Sequence, residues 1–105
     1  MRHHVLGAAC MAVFLSLQPA GAQSAPDAAA LYASTCAACH GRTGRGVSVY
    51  PSLVGRADTY ITERLTRYRA REKLGPNAGL MIPVAVKLSD AEIAGLSAFI
   101  SDSFR

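Results

Sequence analysis

Two cysteines three positions apart, with a histidine directly after the second, constrain this 105-residue chain more than any other feature: Cys36-Ala37-Ala38-Cys39-His40. On one turn of helix this spacing places both sulfurs on one face. There each can form a thioether to a vinyl group of the same porphyrin, which makes the pentapeptide a covalent haem attachment site. His40 is then held under the iron as its proximal ligand. Other uses of the motif fit less well. A closed zinc site needs four ligands, usually from paired clusters, and no Cys or His follows position 40. A thioredoxin-like redox pair belongs beside a βαβ pattern, which is not visible here. A disulfide between Cys36 and Cys39 would close a tiny loop and stabilise little.

The N-terminus reads as a secretory signal spanning residues 1–22. Arg2 supplies the charge, Val5 to Leu17 the apolar run, and Pro19-Ala20-Gly21-Ala22 a small-x-small cleavage site before Gln23. The apolar run is shorter than the roughly 20 residues a membrane span needs. Cys10 lies within it, but no Leu stands three residues earlier, so a lipoprotein reading is poor. Removing 22 of the 105 residues leaves 83, residues 23–105, as one small domain. His3, His4, Met1, Met11 and Cys10 leave with the signal. His40 and Met81 are then the sole His and Met, and if iron is bound by a histidine and a sulfur, Met81 is the thioether available. Loss of Arg2 leaves ten basic residues against seven acidic ones, a formal charge of +3. Two haem propionates would lower it to about +1, since carboxylates are ionised at neutral pH. No basic arm or aromatic-interleaved stripe suggests nucleic-acid binding.

A domain of this size buries a limited share of its surface and usually needs a staple; a covalently attached porphyrin would be one. The pattern predicts a first helix over Asp27–Cys39, capped by Asp27, with Leu31 and Tyr32 facing the core. Gly41, Gly44 and Gly46 make a loop, and Val47–Tyr50 is extended until Pro51 stops it. A second helix is expected from Asp58 or Thr59 to Leu74, closed by Gly75-Pro76, with Ile61, Leu65 and Tyr68 on its apolar stripe. Arg64, Arg67 and Arg71 lie along one flank of that stripe, Arg69 and Lys73 along the other. They read as a solvated face or as a docking rim for an acidic partner. Residues 77–87 are expected as a loop carrying Met81 and Pro83. A last helix starts at the capping box Ser89-Asp90-Ala91-Glu92, with Ile93, Leu96 and Ile100 inward and Phe99 alongside.

These residues resemble the bacterial class I c-type cytochromes, the small monohaem kind near the c4, c5 and c553 groups. The resemblance covers nearly all of 27–105. It rests on Leu31-Tyr32 before the attachment motif and Gly41, on Pro51-Ser52-Leu53-Val54-Gly55, on the basic second helix, on Met81 with Pro83, and on Leu88-Ser89-Asp90-Ala91-Glu92-Ile93. It implies an all-α domain of three to four helices around one covalently bound haem c, with first and last helices crossing. It implies His40 and Met81 as axial ligands and the Pro51 carbonyl as acceptor for the proximal imidazole, a contact that orients the ring and raises its basicity. One departure is Ala28, where the family often has the glycine of the helix crossing; its methyl is expected to widen that crossing slightly.

Iron ligated by both His40 and Met81 has no open position for substrate. The expectation is therefore a periplasmic one-electron carrier, not an enzyme, with the thioether raising the potential. Its partners would be redox proteins: a periplasmic dehydrogenase, a terminal oxidase or a reductase. A membrane would be met only through partners or an uncleaved signal. Two other readings stay open. One is a dedicated cytochrome subunit of a flavin- or molybdenum-dependent periplasmic dehydrogenase, which exposed apolar residues at the haem edge would favour. The other is catalysis or gas sensing after Met81 dissociates.

Overall fold

The computed structural model describes residues 27–105. The expected signal, residues 1–22, lies outside the described residues. The described chain is all-α, as expected, with helices α1 (Ala28–Thr35), α2 (Ala37–His40), α3 (Asp58–Arg69), α4 (Ala78–Ala85) and α5 (Asp90–Ser103). Among the described residues the sole β pairing is an isolated antiparallel bridge, Val47 to Tyr50.

Among the described residues five helical segments stand where three or four were expected, and each difference has a physical cause. The first helix is broken at Cys36, whose φ of −110° departs from helical geometry. The Cys36 amide still donates to the Tyr32 carbonyl and the His40 amide to the Cys36 carbonyl, so the chain turns at the motif without unwinding. The second helix ends at Arg69, five residues before Leu74. There the Arg71 amide donates to Tyr68 and the Glu72 amide to Arg67, with Arg71 left-handed at φ 65°. This is a Schellman turn with arginine where glycine is usual. Finally, the Met81 segment is helical where a loop was expected. Ala78, Leu80, Met81 and Ala85 are good helix formers, and packing against α3 holds them helical despite Pro83 inside the helix.

Both predicted caps form. Asp27 accepts from the Ala30 amide at 3.2 Å, and Ser89 and Glu92 make the reciprocal capping box. The core joins Tyr32 of α1, Ile61 and Leu65 of α3, and Ile93, Leu96 and Ile100 of α5 with Leu88 and Phe104. Where α1 meets α5, the rings of Tyr32, Phe99 and Phe104 lie 5.0–5.8 Å apart in tilted or edge-on pairs, the arrangement aromatic quadrupoles favour. The C-terminus folds back on the loop after α2: Gly55 donates its amide to the Phe104 carbonyl at 2.8 Å.

Candidate functional site

The loop between α2 and α3 is folded tightly around His40. The Gly46 amide donates to the His40 carbonyl at 2.8 Å and the Leu53 amide to the Gly44 carbonyl at 2.6 Å. Gly46 has φ +69°, and a Cβ there would collide with the Tyr50 carbonyl and the Pro51 backbone, so the turn requires glycine. The loop thereby brings the Pro51 carbonyl 2.8 Å from His40 Nδ1. An Nδ1–H donating to that carbonyl leaves Nε2 as the free, lone-pair-bearing nitrogen. His40 is 7 % exposed. Beneath it the Tyr32 hydroxyl donates to the Gly41 carbonyl at 2.7 Å. Burial first, and then the charge of Cys36, pushes the Tyr32 phenol up to about 12.

Cys36 and Cys39 are free thiols, the first partly buried and the second exposed. Burial first, then the neighbouring Cys39, pushes the Cys36 thiol up to about 11, so it keeps its proton at neutral pH. Among the described residues no group of three or more His, Cys, Asp or Glu could hold a metal ion, so the zinc alternative gains no further ligand.

Two clefts of about 290 and 280 Å³ meet at this point. Cys36, His40, Pro51, Tyr68, Leu74 and Met81 line both. Every residue expected at the site from sequence is therefore brought together, with Cys39 lining the first cleft. Met81 reaches it from α4, a helix with apolar residues all round, and packs against the core while remaining partly exposed. The walls suit a flat apolar group: Val49, Leu80 and Val84 line the first cleft, and Ile61, Leu65, Leu96 and Ile100 the second.

The sequence reading missed an arginine–tyrosine stack in the second cleft. The guanidiniums of Arg56 and Arg64 lie 5.0 and 5.2 Å from the centroid of the Tyr60 ring, within cation–π range. Both line the cleft, and neither is paired with a carboxylate among the described residues. The four-residue spacing of Tyr60 and Arg64 on α3 was the available signal.

The donor set fits a haem: two thiols on one turn, an imidazole presenting Nε2, an apolar cleft, a thioether across it and two free guanidiniums for carboxylates. Fold and site together define a small class I c-type cytochrome. Residues 23–100 match the family described as cytochrome C oxidase, cbb3-type, subunit III, and the chain belongs to it. Cytochrome c-554(548) of Halomonas halodenitrificans is 44 % identical over 68 residues, covering 64 % of this chain and 82 % of the relative. Cytochrome c-554(547) of Halothiobacillus neapolitanus is 35 % identical over 88 residues, covering 73 % and 97 %. A thiosulfate dehydrogenase electron acceptor of Thiomonas intermedia is 30 % identical over 67 residues, covering 63 % of this chain and 31 % of its own length. Family membership implies covalently bound haem c and electron carriage. Among the described residues no helix is long and apolar enough to cross a membrane.

Proposed function

We propose that this chain is a periplasmic one-electron carrier with a single haem c, fixed by thioethers to Cys36 and Cys39 and ligated by His40 and Met81. When bound, the haem supplies an Fe(II)/Fe(III) couple. His40 and Met81 would both hold the iron and leave no substrate site, and the soft thioether would favour the reduced state. The observation that carries this reading is the bond between His40 Nδ1 and the Pro51 carbonyl, in a cleft that Met81 also lines. It fixes the imidazole tautomer and directs Nε2 to a metal. Arg56 and Arg64 are suited to receive the haem carboxylates, as planar guanidiniums recognise carboxylate oxygens with paired donors. Residues 1–22 would direct export and be removed; the family match begins at residue 23, which supports that boundary.

The test is the full chain purified from the periplasm as holoprotein. The ferric form should show the weak near-infrared sulfur–iron band, and the ferrous form should not take up carbon monoxide. Met81→Ala should abolish the band, open the iron to carbon monoxide and lower the potential by about a few tenths of a volt, within the ~0.8 V range that axial ligands set. An unchanged potential would refute the ligand assignment. A carbon-monoxide-binding native protein would instead support catalysis or sensing at iron.

One observation favours a fixed-partner version of the same chemistry, as a cytochrome subunit of a periplasmic flavin- or molybdenum-dependent dehydrogenase. Val49 and Leu80 both line the first cleft and are 51 % and 50 % exposed, and apolar rims of this kind suit stable docking. The name of the thiosulfate dehydrogenase acceptor agrees with dehydrogenases as electron donors. Stoichiometric co-purification with a larger subunit distinguishes this version from a free carrier.

A further inference from the structure

Two of the five basic residues that read as a solvated face or a docking rim on the second helix are held in ion pairs within the molecule. Arg67 donates from Nε to Glu72 Oε2 at 2.8 Å and from Nη1 to Glu63 Oε1 at 3.3 Å. It thus spans the Schellman turn, where Arg71 sits left-handed without glycine's freedom. Two residues on, Arg69 donates from Nη1 to the Leu88 carbonyl at 3.1 Å and from Nη2 to Asp90 Oδ1 at 2.6 Å. Arg69 is the more enclosed of the two, with its side chain 28 % exposed. The segment between these contacts, residues 72–88, contains α4 and Met81. Its first residue is held by Arg67, and its last residue and the start of α5 are held by Arg69.

The Met81 segment needs such fastening. α4 is eight residues long, its N-cap Asn77 makes no side-chain capping bond, and Pro83 removes one amide donor from its interior. A helix this short is not stable by itself, so its placement depends on contacts with α3 and on its ends. We propose that Arg67 and Arg69 are positioning residues that clamp both ends of the Met81 segment onto the last turn of α3. Through Met81 they set how readily the iron opens to an outside ligand. This rests on Met81 ligation as proposed above. The two guanidiniums do not line either cleft; they act through the segment they fasten.

The experiment titrates imidazole into the ferric holoprotein of the full chain at constant pH, following loss of the sulfur–iron band. Imidazole binds once Met81 leaves, so its apparent affinity measures the fraction of Met81-off protein. Arg69→Gln should raise that affinity about tenfold, the equivalent of one charge-assisted hydrogen bond. Arg67→Gln should raise it about threefold, because its pairs are more exposed. Arg69→Lys, which cannot reach two acceptors in the same fork, should fall between wild type and Arg69→Gln. Should Arg69→Gln fail to fold, Asp90→Asn removes only the exposed carboxylate and should still raise the affinity, by about twofold. A native ferric protein without the band would overturn Met81 ligation and the clamp with it. A native protein with the band, and variants that melt earlier but bind imidazole as wild type does, would overturn the clamp alone.

Discussion

The two walls of the cleft are held by different kinds of contact. On the His40 side the hydrogen bonds around the imidazole are short in sequence, and only the far end of the loop is tied over a distance, from Gly55 to Phe104. Tyr32 reaches Gly41, Gly46 reaches His40, Leu53 reaches Gly44, and His40 reaches Pro51, all within residues 32–53. On the Met81 side the hydrogen bonds that fasten the segment's far end span 19 and 21 residues, from Arg69 to Leu88 and Asp90, and α4 itself is placed by packing on α3. Short tethers cost little loop entropy and form with the local chain. Long ones exist only when α3 and α5 are docked. Damage to the His40 wall should therefore appear as lost stability and haem retention, and damage to the Met81 wall as an iron that opens more easily.

Gly46→Ala is the hardest test of the His40 wall. Strain at a left-handed residue costs roughly 1–2 kcal/mol, and the collision with the Tyr50 carbonyl adds to it because backbone cannot yield as a side chain can. A total on the order of 3 kcal/mol should lower the midpoint of thermal unfolding by about 12–24 °C in a domain of this size. The molecules that fold should keep the sulfur–iron band. A fall below about 4 °C would show that the loop is not the anchor of this wall.

Tyr32→Phe probes the same wall more gently and adds a pH dependence. Loss of the hydroxyl bond to Gly41 should cost about 1–2 kcal/mol at pH 8. Thioether formation at Cys36 would remove its charge, but burial, the larger cause, still holds the phenol above its usual 10.0. The folded protein then keeps a proton that the unfolded chain releases from pH 10 upward. Wild-type stability is thus unaffected below about pH 10 and declines as pH rises toward 12. The variant lacks that decline, so the difference between the two should narrow as pH rises from about 10 toward 12 in urea unfolding. A constant difference would mean that the phenol is equally accessible in both states.

The same division explains what the sequence disclosed. Cys36, Cys39 and His40 declare themselves by spacing, Asp27 and Ser89 by capping chemistry, and Ile61, Leu65, Ile93, Leu96 and Ile100 by helical period; all are local signals, and the two caps and the five apolar residues lie where expected. The reading failed where a long-range contact overrides a local one. Pro83 and Gly79 punctuate like a loop, yet α3 holds that stretch helical. Arg71 takes the left-handed position without glycine, so the end of α3 was assigned to Gly75-Pro76 instead. Arg69 looked like surface charge because its partners, Leu88 and Asp90, become neighbours only in the folded chain.

Ser89→Ala is the mildest change and falls on the Met81 wall. The Ser89 hydroxyl accepts from the Glu92 amide at 3.1 Å, and Glu92 accepts in return from the Ser89 amide at 3.0 Å. Removing the hydroxyl should cost about 1 kcal/mol, or about 4–8 °C in thermal midpoint. A surface cap elsewhere would do no more than that. Here the first turn of α5 also holds Asp90 and follows Leu88, the two acceptors of Arg69. Fraying of that turn loosens the far end of the Met81 segment without touching the His40 loop. Imidazole affinity of the ferric protein should accordingly rise by about two- to threefold while covalent haem content stays at the wild-type level, since 1 kcal/mol is a factor of about five and only part of it reaches the segment. A variant that melts earlier with unchanged imidazole affinity would mean that α5 begins independently of Met81. The Met81 wall would then be held by α3 packing alone.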